Sequence, residues 1–265
     1  MRHPFRGASL VLAGAGLAGL YACVSLESPA VSPTCGTAGT LTVGVALTDA
    51  ITTSSCRLTD LTYANFYKFR VDSQAKLLVS LTSQDSATVW ITDSAGALVA
   101  NSAFNEAAAT TQSLRLIVKP GPYELAVGSY ATQPSGALTV TVAKDTTPVS
   151  GSQTAIWVTD SIATTQTITS GDHSDGPYGT RYYYHLYLRW VQGGSQLTLS
   201  EHSTAFDPQV VITSVNSGSE VGVSVLDSTN TTAVVSYSPG STDVLLLWVG
   251  SIDSLQAGKY SLTIK

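Results

Sequence analysis

Charge is the scarcest property of this sequence. Only 12% of its 265 residues are Asp, Glu, Lys or Arg, while 43% are hydrophobic. That argues against a charge-rich disordered chain, and the Glu/Lys/Ala/Leu bias of long helices is missing too. The formal net charge is −5 and no basic patch stands out, so no nucleic-acid partner is expected. From Leu41 onward no segment sustains a 3.6-residue apolar period, which leaves little room for helices. Catalytic signatures are lacking as well: there is no GxSxG elbow, no HExxH and no ligand set at a recognised metal spacing. His3 belongs to the N-terminal segment, and His173, His185 and His202 are scattered. The one cluster with hydrolase vocabulary is "GDHSDG", with Asp172, His173, Ser174 and Asp175 adjacent. Triads are assembled from residues distant in sequence, so this stretch reads as a polar turn between the first two strands of its module. No catalytic residue, metal or cofactor is expected.

What the chain has is Ser, Thr, Gly, Val and Tyr in alternation, a composition suited to half-buried pleated surfaces. Leu41, Val43, Val45 and Leu47 alternate, as do Tyr67, Phe69 and Val71, then Leu77, Val79 and Leu81. Asp93 and Gly96 in "TDSAG" mark a turn. Roughly eight short strands fit between residues 39 and 145, the spacing of an antiparallel sandwich or jelly roll.

The N-terminus pairs Arg2 and Arg6 with a short apolar run, Gly7 to Ala22, the layout of a secretory signal too short to span a membrane comfortably. Its end, "LYAC", resembles the bacterial lipobox, with Tyr21 departing from the small residue preferred there. The resemblance implies that Cys23 becomes the first mature residue and is acylated. Cysteine parity agrees: of Cys23, Cys35 and Cys56, lipidation removes one and leaves a pair for a disulfide in an oxidising compartment. The Ser/Pro-rich stretch that follows reads as a tether.

The second half replays the first. Val127-Gly128-Ser129 and Val249-Gly250-Ser251 lie 122 residues apart, as do Gly136 and Gly258. The apolar positions of this phrase read as core and its glycines as turns. Upstream the offset drifts, as loop insertions produce. The organisation expected is a signal peptide (1–22), a tether (23–38), a first sandwich (39–145), a linker (146–153) and a second sandwich (154–265): all-β, two tandem antiparallel β-sandwiches of jelly-roll type. "YANFYKFRV", "LLVSL", "DSATVWITDSAGALVAN", "PGPYELAVGSY" and "SGALTVTV", with "AGKYSLTI" in the second copy, resemble the bacterial pre-peptidase C-terminal (PPC) domain, a small β-sandwich found beside secreted peptidases and in surface proteins. Asn65 and His185 stand where that family's aromatic strand usually carries an Asp, and "ANSAFNEA" lacks its paired Asp, which argues against calcium in the first copy.

The candidate ligand-binding face is in "RYYYHLYLRW". With a strand period of two, Tyr184, Leu186, Leu188 and Trp190 form the natural core side, and Tyr183, His185, Tyr187 and Arg189 an amphipathic row able to stack on sugars or peptide side chains. The competing reading has those tyrosines covering the core edge or the neighbouring module. The function expected is a non-catalytic lipoprotein of the bacterial cell envelope, or a secreted one, whose modules bind a polysaccharide or an extracellular protein while the lipid anchors it to a membrane. A spacer or assembly lipoprotein is the alternative, and a hydrolase the remote one.

Overall fold

The computed structural model describes residues 35–60, 62–104, 109–131, 133–149, 155–175, 182–224, 231–252 and 255–265. Cys23, the signal segment and most of the tether lie outside these residues, as does 176–181. Apart from one 3-10 turn, every regular element described is a strand. The first half comprises β1 (Gly39–Thr40), β2 (Leu47–Thr52), β3 (Cys56–Arg57), β4 (Tyr63–Val71), β5 (Ala75–Asp93), β6 (Leu98–Asn101), β7 (Ala109–Val118), β8 (Gly121–Ser129) and β9 (Ser135–Lys144). The second comprises β10 (Ile156–Val158), β11 (Ile162–Ile168), β12 (His173–Asp175), β13 (Tyr182–Val191), β14 (Leu197–His202), β15 (Pro208–Ser214), β16 (Glu220–Val223), β17 (Thr232–Tyr237), β18 (Asp243–Ser251) and β19 (Gly258–Ile264).

Each half is a two-layer antiparallel sandwich. In the first, β5 serves both layers: its leading part pairs with β7 and β9, and after a register shift between Thr82 and Ala87 its trailing part pairs with β8 and β6. The second half divides that work between β14, which pairs with β17 and β19, and β15, which pairs with β18 and β16. The ladders otherwise repeat residue by residue. Gly39 faces Tyr67 in a parallel pair and Ile156 faces Tyr187 in another. Asn65 faces Val127 as His185 faces Val249, and Ile51 faces Gly136 as Ile168 faces Gly258.

The two sandwiches are joined through β10. One edge of this strand pairs in parallel with Leu116 and Ile117 of β7, and the other with Tyr187 and Leu188 of β13. The sheet is thereby continuous across both halves, 15 strands in all. Trp157 at its centre is fully buried, and it packs with Leu188 and Val244 into the first half's core. Val149, in the stretch read as linker, is buried in the second core.

Two expectations from the sequence are corrected. The predicted strand from Leu41 to Leu47 does not run through, because Val43-Gly44 turn with Gly44 in the left-handed region (φ 90°) and β2 begins only at Leu47. Nor are Gly128 and Gly250 turn residues. They lie inside β8 and β18, where a Cβ would come within 2.7 Å of the Trp90 ring or 2.5 Å of the Tyr183 carbonyl oxygen. Each is a close-approach position in a paired strand. The disulfide between Cys35 and Cys56 is present, with Cα atoms 5.2 Å apart, and ties the lead into β1 to β3.

Candidate functional site

On β13 the row read as a ligand face is interior in the second sandwich as far as Tyr187, while Leu188 of the other row is buried in the first half's core. Tyr183, His185 and Tyr187 are buried in the second sandwich, while Tyr184, Leu186 and Trp190 are only half-buried on the other side. The interior offers this row polar partners: Tyr260 on β19 and Asp172 from the turn between β11 and β12. His185 Nδ1 and Tyr187 Oη each lie 2.7 Å from Tyr260 Oη. His185 Nε2 is 3.2 Å from Asp172 Oδ2, with both side chains fully buried. Thr169 donates from its backbone and hydroxyl to the same Asp172 oxygen, closing the β11–β12 turn over the network. Asp172 therefore meets a histidine from a distant strand, His185.

Glu201 sits near this chain, fully buried on β14. Burial pushes its carboxyl well above the usual range, and the backbone at Gly250 and Gln209 offsets that only in part. Burial likewise pushes up the hydroxyls of Tyr187 and Tyr260. A buried carboxyl held neutral can donate a hydrogen bond, as an ionised one cannot. In the first half the positions of His185 and Tyr187 are Asn65 and Tyr67, which both donate to Asp49 Oδ2 at 3.1 and 2.8 Å. Both networks stabilise interiors. Asp49 and Asn65 also line a recess of about 540 Å³ beside the Cys35–Cys56 bridge, whereas Asp172 and His185 are enclosed.

The fourth member of the predicted row parts company with the others. Arg189, near the end of β13, lines a cleft of about 260 Å³ that lies where the sandwiches meet. Its walls come from the ends of four elements: the β5–β6 turn at Asp93, the β7–β8 turn at Lys119, the residues after β10 at Asp160, and the β13–β14 connection at Gln192 and Gln196. These walls are fixed locally. Asp93 Oδ1 accepts from the backbone N–H groups of Ala95 and Ala97, with Gly96 completing the turn at φ 80°. Lys119 donates from its backbone to Thr159 Oγ1 at 3.0 Å and from Nζ to Asp160 Oδ1 at 2.7 Å. Tyr123 donates to the Lys119 carbonyl at 2.8 Å, and burial pushes its hydroxyl up to about 12. Burial opposes ionisation of Asp160, but the Lys119 hydrogen bond and the Arg189 and Lys119 charges outweigh it and hold the carboxyl below its usual value.

Arg189 is poorly partnered for so enclosed a cation. Among the described residues its one side-chain hydrogen bond is a 3.5 Å contact from the guanidinium to the Val158 carbonyl, and its Nε is buried without a partner there. The indole N–H of neighbouring Trp190 is also buried and unpaired. Burial works against the Arg189 charge, opposed by attraction to Asp160 and Asp93.

No family model and no curated protein matches the sequence. Among solved structures, the pre-peptidase C-terminal domain of a Bacillus anthracis collagenase is similar to 40% of this chain over 96% of its own length, at 16% identity and a TM-score of 0.33. The PBSX exported protein XepA is 15% identical over 84% of this chain and 87% of its own, with a TM-score of 0.23. The tandem CBM22-1-CBM22-2 domain of Paenibacillus barcinonensis Xyn10C is 12% identical over 84% of this chain and 91% of its own, with a TM-score of 0.21. At these identities and scores the likeness says nothing of what the chain binds. Among the described residues, no group of three or more His, Cys, Asp or Glu is placed to hold a metal ion.

The sequence reading singled out Arg189 but missed its surroundings. Lys119, Thr159 and Asp160 belong to two different halves, and nothing in their local spacing brings them together. The available signal was the second copy's own first strand, "AIWVTD", whose counterpart in the first half pairs with the aromatic strand.

Proposed function

We propose that this chain is a non-catalytic exported protein whose two fused β-sandwiches hold a rigid binding cleft at their junction for an extracellular polymer or protein. The observation that carries this reading is Arg189: an enclosed guanidinium with a single long side-chain hydrogen bond among the described residues, lining a cleft whose walls are fixed from both halves. A preorganised wall loses little freedom when a ligand arrives. The burial of Asp172, His185 and Tyr260 speaks for a non-catalytic protein, since their acid-base groups are closed to substrate. The lipobox-like "LYAC" supports attachment to the cell envelope through Cys23, and the PPC resemblance of both halves supports a surface module.

The spacer reading has one observation in its favour, the apolar junction at Trp157, which joins the two sandwiches through a shared core whether or not anything binds. Sedimentation of the mature protein with insoluble peptidoglycan, insoluble glycans and immobilised extracellular proteins separates the two. Retention on one of these, lost on Arg189→Ala in a variant with native circular dichroism, is the expected result. Retention on none rejects the binding function and leaves the spacer. Metabolic labelling with a fatty-acid probe should mark the wild type and not Cys23→Ala, and an unlabelled wild type rejects the anchor.

A further inference from the structure

The junction cleft is chemically selective, and its lining narrows the ligand class. We infer that it binds a neutral saccharide unit, one pyranose-sized ring of a glycan held against Trp190. This rests on the binding function proposed above and specifies its ligand.

The groups on the walls fall into two sets that an ordinary small ion cannot serve together. Asp93 and Asp160 only accept hydrogen bonds, while Lys119 and Arg189 only donate them. An anionic ligand would match Lys119 and Arg189 but meet the two carboxylates at close range. A cationic ligand would suffer the reverse. An apolar ligand would strip water from Arg189 and from the remaining faces of the other three and return no hydrogen bond, which is costly for enclosed polar groups. A hydroxyl both donates and accepts, so vicinal hydroxyls satisfy both sets at once. The side-chain amides of Gln192 and Gln196, which also do both, extend the same pattern.

The remaining wall fits the rest of a sugar. Trp190 lines the cleft and is only half-buried, although its indole nitrogen is enclosed. An aromatic ring of this kind suits the C–H face of a pyranose, leaving the ring hydroxyls for the polar walls. The volume of about 260 Å³ falls just below the range of pockets that take drug-sized molecules, about 300–1,000 Å³, so a single ring with open ends fits better than a long chain buried along its length. The ligand's two polar edges would then reach Arg189, which has donors to spare, without breaking the Lys119–Asp160 pair.

The test is isothermal calorimetry on the mature protein with neutral oligosaccharides (cellohexaose, xylohexaose and chitohexaose), an oligogalacturonate as acidic control and polylysine as cationic control. At least one neutral oligosaccharide should bind, with neither charged control competing. Trp190→Ala and Gln196→Ala should each weaken it tenfold or more, with Gln196→Ala keeping the result readable if the tryptophan variant does not fold. Binding of oligogalacturonate alone, or neutral binding unchanged in folded variants, overturns the saccharide assignment. Absence of any neutral binding alongside Arg189-dependent retention on an immobilised protein overturns the ligand class but leaves the binding function standing. Absence of both overturns the two together.

Discussion

Glu201 offers a direct test of how the second sandwich is held together. The same ladder position in the first half is Leu81: Leu81 faces Gln112 and Val140, as Glu201 faces Ala233 and Leu262. Glu201 is thus a carboxyl in a leucine's place, fully buried, with its pKa raised by burial. The native state keeps a proton that the unfolded chain releases above about pH 4.3. Because the native state binds more protons, stability is fully present below that value and falls as pH rises toward the folded pKa. The slope for one such group reaches about 1.4 kcal/mol per pH unit. Glu201→Gln keeps the shape and cannot ionise, so this part of the slope should vanish; Glu201→Leu restores the first half's residue and should be the more stable variant at neutral pH. Urea unfolding followed by tryptophan fluorescence, at steps from about pH 5 to about pH 8, gives the difference between wild type and Glu201→Gln as a function of pH. A difference that stays constant across that range would show that Glu201 titrates alike in both states, and the account of a buried neutral carboxyl would be wrong.

Trp157→Ala, which empties the shared core at the strand joining the two halves, should cost about 3–5 kcal/mol and split thermal unfolding into two transitions in calorimetry; a single unshifted transition would contradict the fused junction. Asp145, whose carboxyl is kept below its usual value by Thr147 hydrogen bonds and by Lys76 and Arg115 despite burial, contributes stability above the unfolded pKa that is lost as pH falls. Asp145→Asn should therefore flatten the acid limb of stability against pH, and an unchanged acid limb counts against that pairing. Reducing the Cys35–Cys56 bridge, or replacing both with Ser, should cost roughly 3 kcal/mol for a loop of 21 residues, measured as a shift in urea midpoint. Tyr260→Phe removes one hydroxyl shared by His185 and Tyr187, and should cost about 1–3 kcal/mol by the same assay; a neutral effect would mean the network is not held by that hydroxyl.

The fold was largely legible because it is written twice. Alternating apolar positions at Leu138, Val140 and Val142 in the first copy, and at Tyr260, Leu262 and Ile264 in the second, are all buried. Strand period and turn residues suffice for such segments. The faces of β13 were not legible for a physical reason. Its two alternating rows, Tyr184-Leu186-Leu188-Trp190 and Tyr183-His185-Tyr187-Arg189, are both aromatic-rich, so hydrophobicity favours the wrong one. What decides is the polar residue each strand meets across the interior, Tyr260 and Glu201, which lie on other strands more than a loop away. A mere count of apolar residues is blind to a buried polar network, because its members are interior only together. The cleft was hidden for a related reason: it belongs to no single half, and only the pairing of β10 with both β7 and β13 creates it.

The duplication also explains where the halves diverged. The first half fills its interior with Leu81 and Leu138; the second carries Glu201 and Tyr260 at the same ladder positions, with His185 in place of Asn65. His185 and Tyr260 depend on each other, since a buried imidazole without a polar partner is costly. Asp172, delivered by a turn that closes on Thr169, completes the set. The inward row of β13, Tyr183, His185 and Tyr187, continues to Arg189, which lines the cleft at the junction. The same row carries Phe69, facing Tyr123, in the first half and Arg189, facing Leu245, in the second, so the cation at the junction is a substitution on a strand geometry that both halves share.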